Sequence, residues 1–253
     1  MNQQNGDTTI YVVGHKPFAM PKVSGYQPIQ VNAAKNPHFC SCTDDTGEQI
    51  SIKNDRFCEL TAMYWMWKND HHSQYVGLCH YRRYFKFSNQ FSDYWKSQYN
   101  VDTISKNDIE INSKIAMNLK KGRILIPKAV FFRRKKLPYS VYRQYCTSHN
   151  EEDLMVLKRT LLSLYPEYEQ SWCYIMRRPF LHPYNMFVMP KKKFDLYAAW
   201  LFHVLFAVEK QIPPKKDGYQ NRTFGFMGER LFNVYLHHAQ WDTQSVPILF
   251  VRE

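Results

Sequence analysis

Short runs of β-branched and aromatic residues alternate along this chain with longer segments of helical periodicity, and that alternation restricts the fold more than any other feature. Parallel strands need a long crossover between them, which a helix supplies, so the pattern predicts a mainly parallel central sheet flanked by helices. The runs 8–13, 29–31, 75–79, 123–127 and 185–189 read as strands, with a tail strand around 246–251. Helices are expected from a cap at Asn54 or Asp55 to about Lys68, within 102–118, and over 139–149, 151–165, 192–210 and 228–238. The stretch 20–46, rich in Pro, Gly and Asn, reads as an extended loop. With 253 residues, 44% of them hydrophobic, the chain can bury one large core. A single domain over 1–253 is expected, with a loose tail at 1–7.

The run from Tyr75 ends in Cys79-His80-Tyr81-Arg82-Arg83, two adjacent guanidiniums among aromatic rings. Ligands of open α/β sheets bind beyond the carboxyl ends of strands, and the planar fork of Arg matches phosphate oxygens. A basic surface turn is the competing reading, since no Gly-rich phosphate loop accompanies the pair. The formal charge of +12 implies anionic company: nucleotides, nucleic acid or an acidic membrane face. Six cysteines without a Cys-x-x-Cys pair or zinc-like spacing argue against a metal site and for a reduced, cytoplasmic setting. No run approaches the ~20 apolar residues that span a bilayer, and 1–13 lacks the features of an export signal. A soluble cytoplasmic protein that touches a membrane without crossing it is expected.

Ordered blocks then carry a resemblance. Tyr11-Val12-Val13 with His15-Lys16, Pro28-Ile29-Gln30-Val31, Asn54 with Cys58-Glu59-Leu60-Thr61-Ala62-Met63-Tyr64-Trp65, Gly77 to Phe85, Pro183-Tyr184-Asn185-Met186-Phe187 and Gly225-Phe226-Met227-Gly228-Glu229-Arg230-Leu231 span residues 8 to 240. In order they resemble the bacterial "HYRRYF" family, linked to capsule, exopolysaccharide and O-antigen synthesis. The resemblance implies a GT-A-like glycosyltransferase that takes galactofuranose or galactose from a UDP-sugar. It also implies a glycan or polyprenyl-diphosphate-linked acceptor.

Enzymes of this type usually carry Asp-x-Asp after a central strand to hold a divalent cation, whereas this chain has His80, Arg82 and Arg83 there. Guanidiniums can neutralise a diphosphate directly, so metal-independent transfer without a cofactor is expected, and the resemblance together with one candidate carboxylate implies inversion. His80, Arg82, Arg83, Arg222 and Arg230 are the candidate diphosphate ligands. His15, Lys16 and Asn54 are placed on the nucleotide, and Asn185 and His182 on the transferred sugar. Glu59 is a candidate to orient Arg82 or Arg83 by a charge-assisted bond, with a structural ion pair as the favoured alternative. Glu229, in what reads as a Gly-flanked turn before a helix, is the candidate general base, against a helix-terminal charge as the plain alternative.

The basic clusters Lys120-Lys121, Arg133 to Lys136, Arg177-Arg178 and Lys191 to Lys193 are usually solvated faces. Sharing one side, they would hold the chain on anionic lipid. Two other functions remain open: a UDP-sugar-binding assembly protein without turnover, and a single-stranded nucleic-acid module. The latter is suggested by charge and aromatics, but it lacks any matching motif.

Overall fold

The computed structural model describes residues 7–88, 99–135 and 137–252, so all but Asp7 of the expected tail lies outside the described residues. Strands β1 (Thr8–Gly14), β2 (Tyr26–Gln30), β3 (Tyr75–His80) and β4 (Arg83–Phe85) form the N-terminal half of the sheet, with helices α1 (Asn54–Phe57) and α2 (Leu60–Asn69) between β2 and β3. Next come α3 (Lys106–Ile109), α4 (Ser113–Lys120) and β5 (Ile124–Pro127). A short excursion follows, made of β6 (Val130–Phe131), β7 (Arg133–Arg134) and β8 (Leu137–Pro138). The chain continues through α5 (Val141–Ser148), α6 (Glu151–Leu164), α7 (Glu169–Arg177), β9 (Phe180–Leu181), β10 (Phe187–Pro190) and α8 (Lys191–Glu209). It closes with α9 (Gly218–Asn221), α10 (Thr223–Ala239), β11 (Thr243–Val246) and β12 (Ile248–Phe250).

The main sheet runs β11-β5-β10-β3-β1-β2, with β4 paired to β3 and β12 to β4. β1 is parallel to β2 and β3, and β5 to β11, whereas β10 runs antiparallel to both neighbours. The expected mainly parallel sheet is therefore present. Its period of two sorts the core: Tyr11, Val13, Leu78, Ile126 and Phe187 face one apolar layer, and Ile10, Val12, Cys79, Leu125 and Val188 face the other. The first layer carries α2, α6, α7, α8 and α10, and each fully buried Leu, Val or Phe there contributes about 1.5–3 kcal/mol.

Helix ends follow their caps. Asn112, Ser140, Asn150 and Asp217 each accept a backbone N–H in the first turn of the helix that follows.

Two helices differ from expectation in ways that shape the site. The helix expected from Asn54 to Lys68 breaks at Cys58, whose φ of 51° lies in the left-handed region. Asn54 Nδ2 donates to the Cys58 carbonyl at 2.8 Å and to Thr61 Oγ1 at 2.9 Å, and Thr61 is tied in turn to the buried Asp44. Asn54 thus spends both its donor bonds on fixing the break, not on a nucleotide. The helix expected from Gly228 begins at Thr223 instead, so Glu229 stands in the second turn of α10 and not in a flexible turn. Gly225 and Gly228 serve close approach: a Cβ on Gly228 would meet Leu60 Cδ1 at 3.0 Å and Asn185 Oδ1 at 3.2 Å.

Candidate active site

A strand that runs backwards starts where its parallel neighbours end. The segment entering β10 is therefore delivered to the carboxyl edge of β3, where Phe187 pairs with Leu78. Tyr184 and Asn185 in that segment both have positive φ, 75° and 52°. Asn tolerates that region and Tyr does so rarely, so the surrounding bonds must hold the pair in place. The Tyr184 carbonyl accepts from His80 Nε2 at 2.8 Å, and its N–H donates to Glu229 Oε1 at 2.8 Å. Asn185 Nδ2 donates to Glu59 Oε1 at 2.7 Å and to the Gly225 carbonyl at 3.1 Å. One two-residue turn thus joins the end of β3, the break before α2 and the first turns of α10.

The result is a ring of opposed charges. Burial raises the pKa of Glu229 and the Glu59 carboxylate adds to this, while Arg230, the Tyr184 amide and Arg83 pull it back. Arg230 Nη1 donates to Glu229 Oε2 and to the Phe226 carbonyl, both at 2.9 Å, and Nη2 donates to Gln144 Oε1 at 2.5 Å. With a side chain only 3% exposed, Arg230 is a fixed counter-ion to Glu229, not the diphosphate ligand expected of it. Burial also lowers the pKa of His80, which favours a neutral imidazole whose Nε2–H holds the Tyr184 carbonyl. In that form His80 sets the turn and adds no positive charge for a diphosphate.

The adjacent arginines diverge, since Arg82 stands in the two-residue turn between β3 and β4 while Arg83 opens β4 opposite His80. The Arg83 guanidinium lies 4.6 Å from the Tyr184 ring centre, and its Nε is buried without a hydrogen bond among the described residues. Arg82 instead faces a groove of about 450 Å³ that it lines with Lys16, Phe18, Tyr81 and Arg252. His15 meets Tyr81 edge-on at 5.7 Å, and the Lys16 ammonium lies 6.0 Å from the same ring. His15, Lys16 and Arg82 are thereby brought together at the ends of β1 and β3. Across the ring, Arg222 Nε donates to Cys58 Sγ at 3.3 Å, and burial pushes that thiol up to about 12.

Other candidates sit apart. His182 Nδ1 bonds the Pro127 carbonyl at 2.7 Å, and its main chain exchanges two bonds with Asn233, so it supports the loop rather than facing the ring. Glu59 forms no salt bridge with Arg82 or Arg83 among the described residues; Asn185 takes its place as partner. No group of three or more His, Cys, Asp or Glu converges as a metal site would need, again among the described residues. Residues that sequence reasoning missed are Tyr184, which acts mainly through its backbone, and Phe250, which meets the Tyr184 ring edge-on at 6.2 Å.

Comparison with known proteins gives two matches. The family described as "Domain of unknown function (DUF4422)" matches residues 9–240. A solved apo structure of the WbbM bifunctional glycosyltransferase is similar at 30% identity with a TM-score of 0.88, over 98% of this chain and 46% of that one. The chain therefore spans about half the length of that relative. No curated protein matches. The GT-A-like arrangement expected from the sequence is the arrangement observed.

Proposed function

The chain belongs to the DUF4422 family, and from that premise we propose that it is a glycosyltransferase acting in bacterial surface polysaccharide synthesis. In this reading it moves galactofuranose or galactose from a UDP-sugar to a glycan or polyprenyl-diphosphate-linked acceptor at the cytoplasmic face of the membrane. The observation that carries the proposal is the likeness to a glycosyltransferase across 98% of the chain at 30% identity. The charged ring at the carboxyl edge of β3 supplies the chemistry.

In this mechanism the acceptor hydroxyl oxygen attacks the anomeric carbon as the bond from that carbon to the UDP oxygen breaks. Glu229 takes the hydroxyl proton, and its raised pKa makes it a better base than an ordinary carboxylate. UDP leaves with three negative charges on its diphosphate, one more than in the bound donor, offset by Arg83 on the inner side, Arg82 in the groove and Arg222 opposite. Lys16, His15 and the Tyr81 ring accommodate the nucleotide. Asn185 Oδ1, buried and without a hydrogen bond among the described residues, accepts from a sugar hydroxyl. In this reading guanidiniums meet the charge on UDP, and the reaction runs without a metal.

A donor screen tests the proposal: UDP-galactofuranose, UDP-galactose and UDP-glucose with a lipid-linked acceptor, the product's anomeric configuration read by NMR. Transfer with inversion is expected from one of the galactose donors. UDP-sugar binding without transfer or hydrolysis would favour an assembly protein instead.

A further inference from the structure

The excursion between β5 and α5 exposes side chains that folding normally hides. Val130 is 40% exposed, Phe131 61% and Leu137 70%, and their strands β6, β7 and β8 pair only in two-stranded ribbons off the main sheet. The same face continues into a groove of about 440 Å³ between α5, α6 and α7, bordered by the exposed Tyr142 and Met155 and rimmed by Lys158 and Arg177. The two parts are stitched together, since Phe132 N–H donates to the Pro179 carbonyl and Val141 N–H to that of Arg178.

Charge identifies the occupant. Residues 128–143 carry six Lys or Arg and no Asp or Glu. Arg133 and Arg134 are exposed and enter no salt bridge among the described residues. A protein partner of ordinary composition would meet an interface centre depleted of charge, whereas here cations stand between the apolar side chains. Apolar groups interleaved with basic ones suit the boundary of an anionic bilayer, where rings and aliphatic chains sink among the acyl chains and cations meet the headgroups.

We propose that the excursion formed by residues 128–135 and 137–143, together with the α5–α7 groove, is a docking face for an anionic phospholipid bilayer. It identifies which of the basic clusters act. Lys193 Nζ donates to the Gly122 carbonyl at the opposite, entering end of β5, so Lys120, Lys121 and Lys191 to Lys193 do not share this plane. The docking face also borders the charged ring: β9 pairs with β6 and leads within a few residues to Tyr184. If the transferase reading above is right, a lipid-linked acceptor is presented beside the base. The lipid contact itself does not depend on turnover.

Co-sedimentation of the full chain with vesicles provides the test, using phosphatidylcholine alone and phosphatidylcholine mixed with phosphatidylglycerol. The chain should pellet with the mixed vesicles and not with the neutral ones, and raised salt should release it. Leu137→Ser, Phe131→Ser and the pair Arg133→Glu with Arg134→Glu should each weaken vesicle binding on the order of tenfold while UDP affinity by calorimetry stays unchanged. Leu137 makes the safest variant for folding because it is the most exposed of the three apolar groups. Absence of binding to the mixed vesicles, equal binding to neutral ones, or binding retained in all variants overturns the proposal. So does a dimer, seen by light scattering, that Leu137→Ser dissociates without any vesicle binding. Loss of UDP binding in the parent chain would count against the transferase reading alone.

Discussion

The backbone N–H of Tyr184 sits 2.8 Å from Glu229 Oε1, so a residue in left-handed conformation aims a donor at the carboxylate proposed to act as base. Such a conformation costs of order 1–3 kcal/mol and persists only where other contacts enforce it. Here His80 enforces it from the sheet side and Asn185 from the helix side, through Glu59 and Gly225.

Glu229→Gln keeps an oxygen for the Tyr184 amide but removes basicity. Turnover should fall on the order of 10²-fold or more, with donor binding nearly intact. Initial rate and melting temperature measured on the same variant decide between roles: parent-like turnover with a lowered melting temperature would leave Glu229 structural and turn attention to Glu59.

Arg230→Gln tests the counter-ion. The guanidinium lowers the pKa of Glu229 against the effect of burial, so its removal lets that pKa rise further. A base works only when deprotonated, so the acidic limb of kcat/KM should move to higher pH in the variant. An unmoved limb would detach Glu229 from that titration. Breaking this half-buried pair should also lower stability, visible in the denaturant midpoint, because it leaves the Glu229 carboxylate without its counter-ion.

For Arg82→Ala and Arg83→Ala, weaker UDP binding is expected, each by about 1.5–3 kcal/mol as for hydrogen bonds to charged groups. Lys at either position should restore only part, because an ammonium lacks the two-pronged fork. Calorimetry with unchanged UDP affinity in both folded alanine variants would remove the diphosphate role.

Gly228→Ala would stabilise an ordinary exposed helix by about 1 kcal/mol. Here the new methyl presses on Leu60 and Asn185, so a loss of roughly 1–3 kcal/mol and a fall in kcat are expected. A thermal melt gives the sign directly.

Activity should survive EDTA and gain nothing from added manganese or magnesium. Abolition by EDTA with rescue by either ion would mean that carboxylates assemble a metal site after all.

The strands and their mainly parallel order were legible because period-two burial leaves a direct mark on apolar runs, and Arg82 and Arg83 at the end of β3 were legible because charge after such a run is unusual. Strand direction leaves no such mark, so nothing in Asn185 to Met189 announced that β10 runs backwards. Cys58 sits in a stretch whose periodicity continues on both sides, and its positive φ has no signature in a cysteine. Gly225 and Gly228 suggested a turn because glycine commonly makes one, yet here the missing Cβ lets α10 approach Leu60 and Asn185. The role of Tyr184 rests mainly on its N–H and carbonyl, groups that nearly every residue has. Arg230 looked like a phosphate ligand until burial showed its two terminal nitrogens bonded to Glu229, Phe226 and Gln144.

The reversed strand also sets an order of events for the nascent chain. His80 waits 104 residues for the Tyr184 carbonyl, Glu59 waits 126 for Asn185, and Tyr184 waits a further 45 for Glu229. Contacts of such separation form late, after loop closure has been met, while local helices are already in place. Until α10 has left the ribosome, Tyr184 has no carboxylate to hold it in its left-handed state, and Glu59 and His80 wait at the edge of a half-built sheet. Synthesis from the N-terminus thus leaves the Tyr184 turn without its carboxylate, and the proposed base without its place, until α10 has been made.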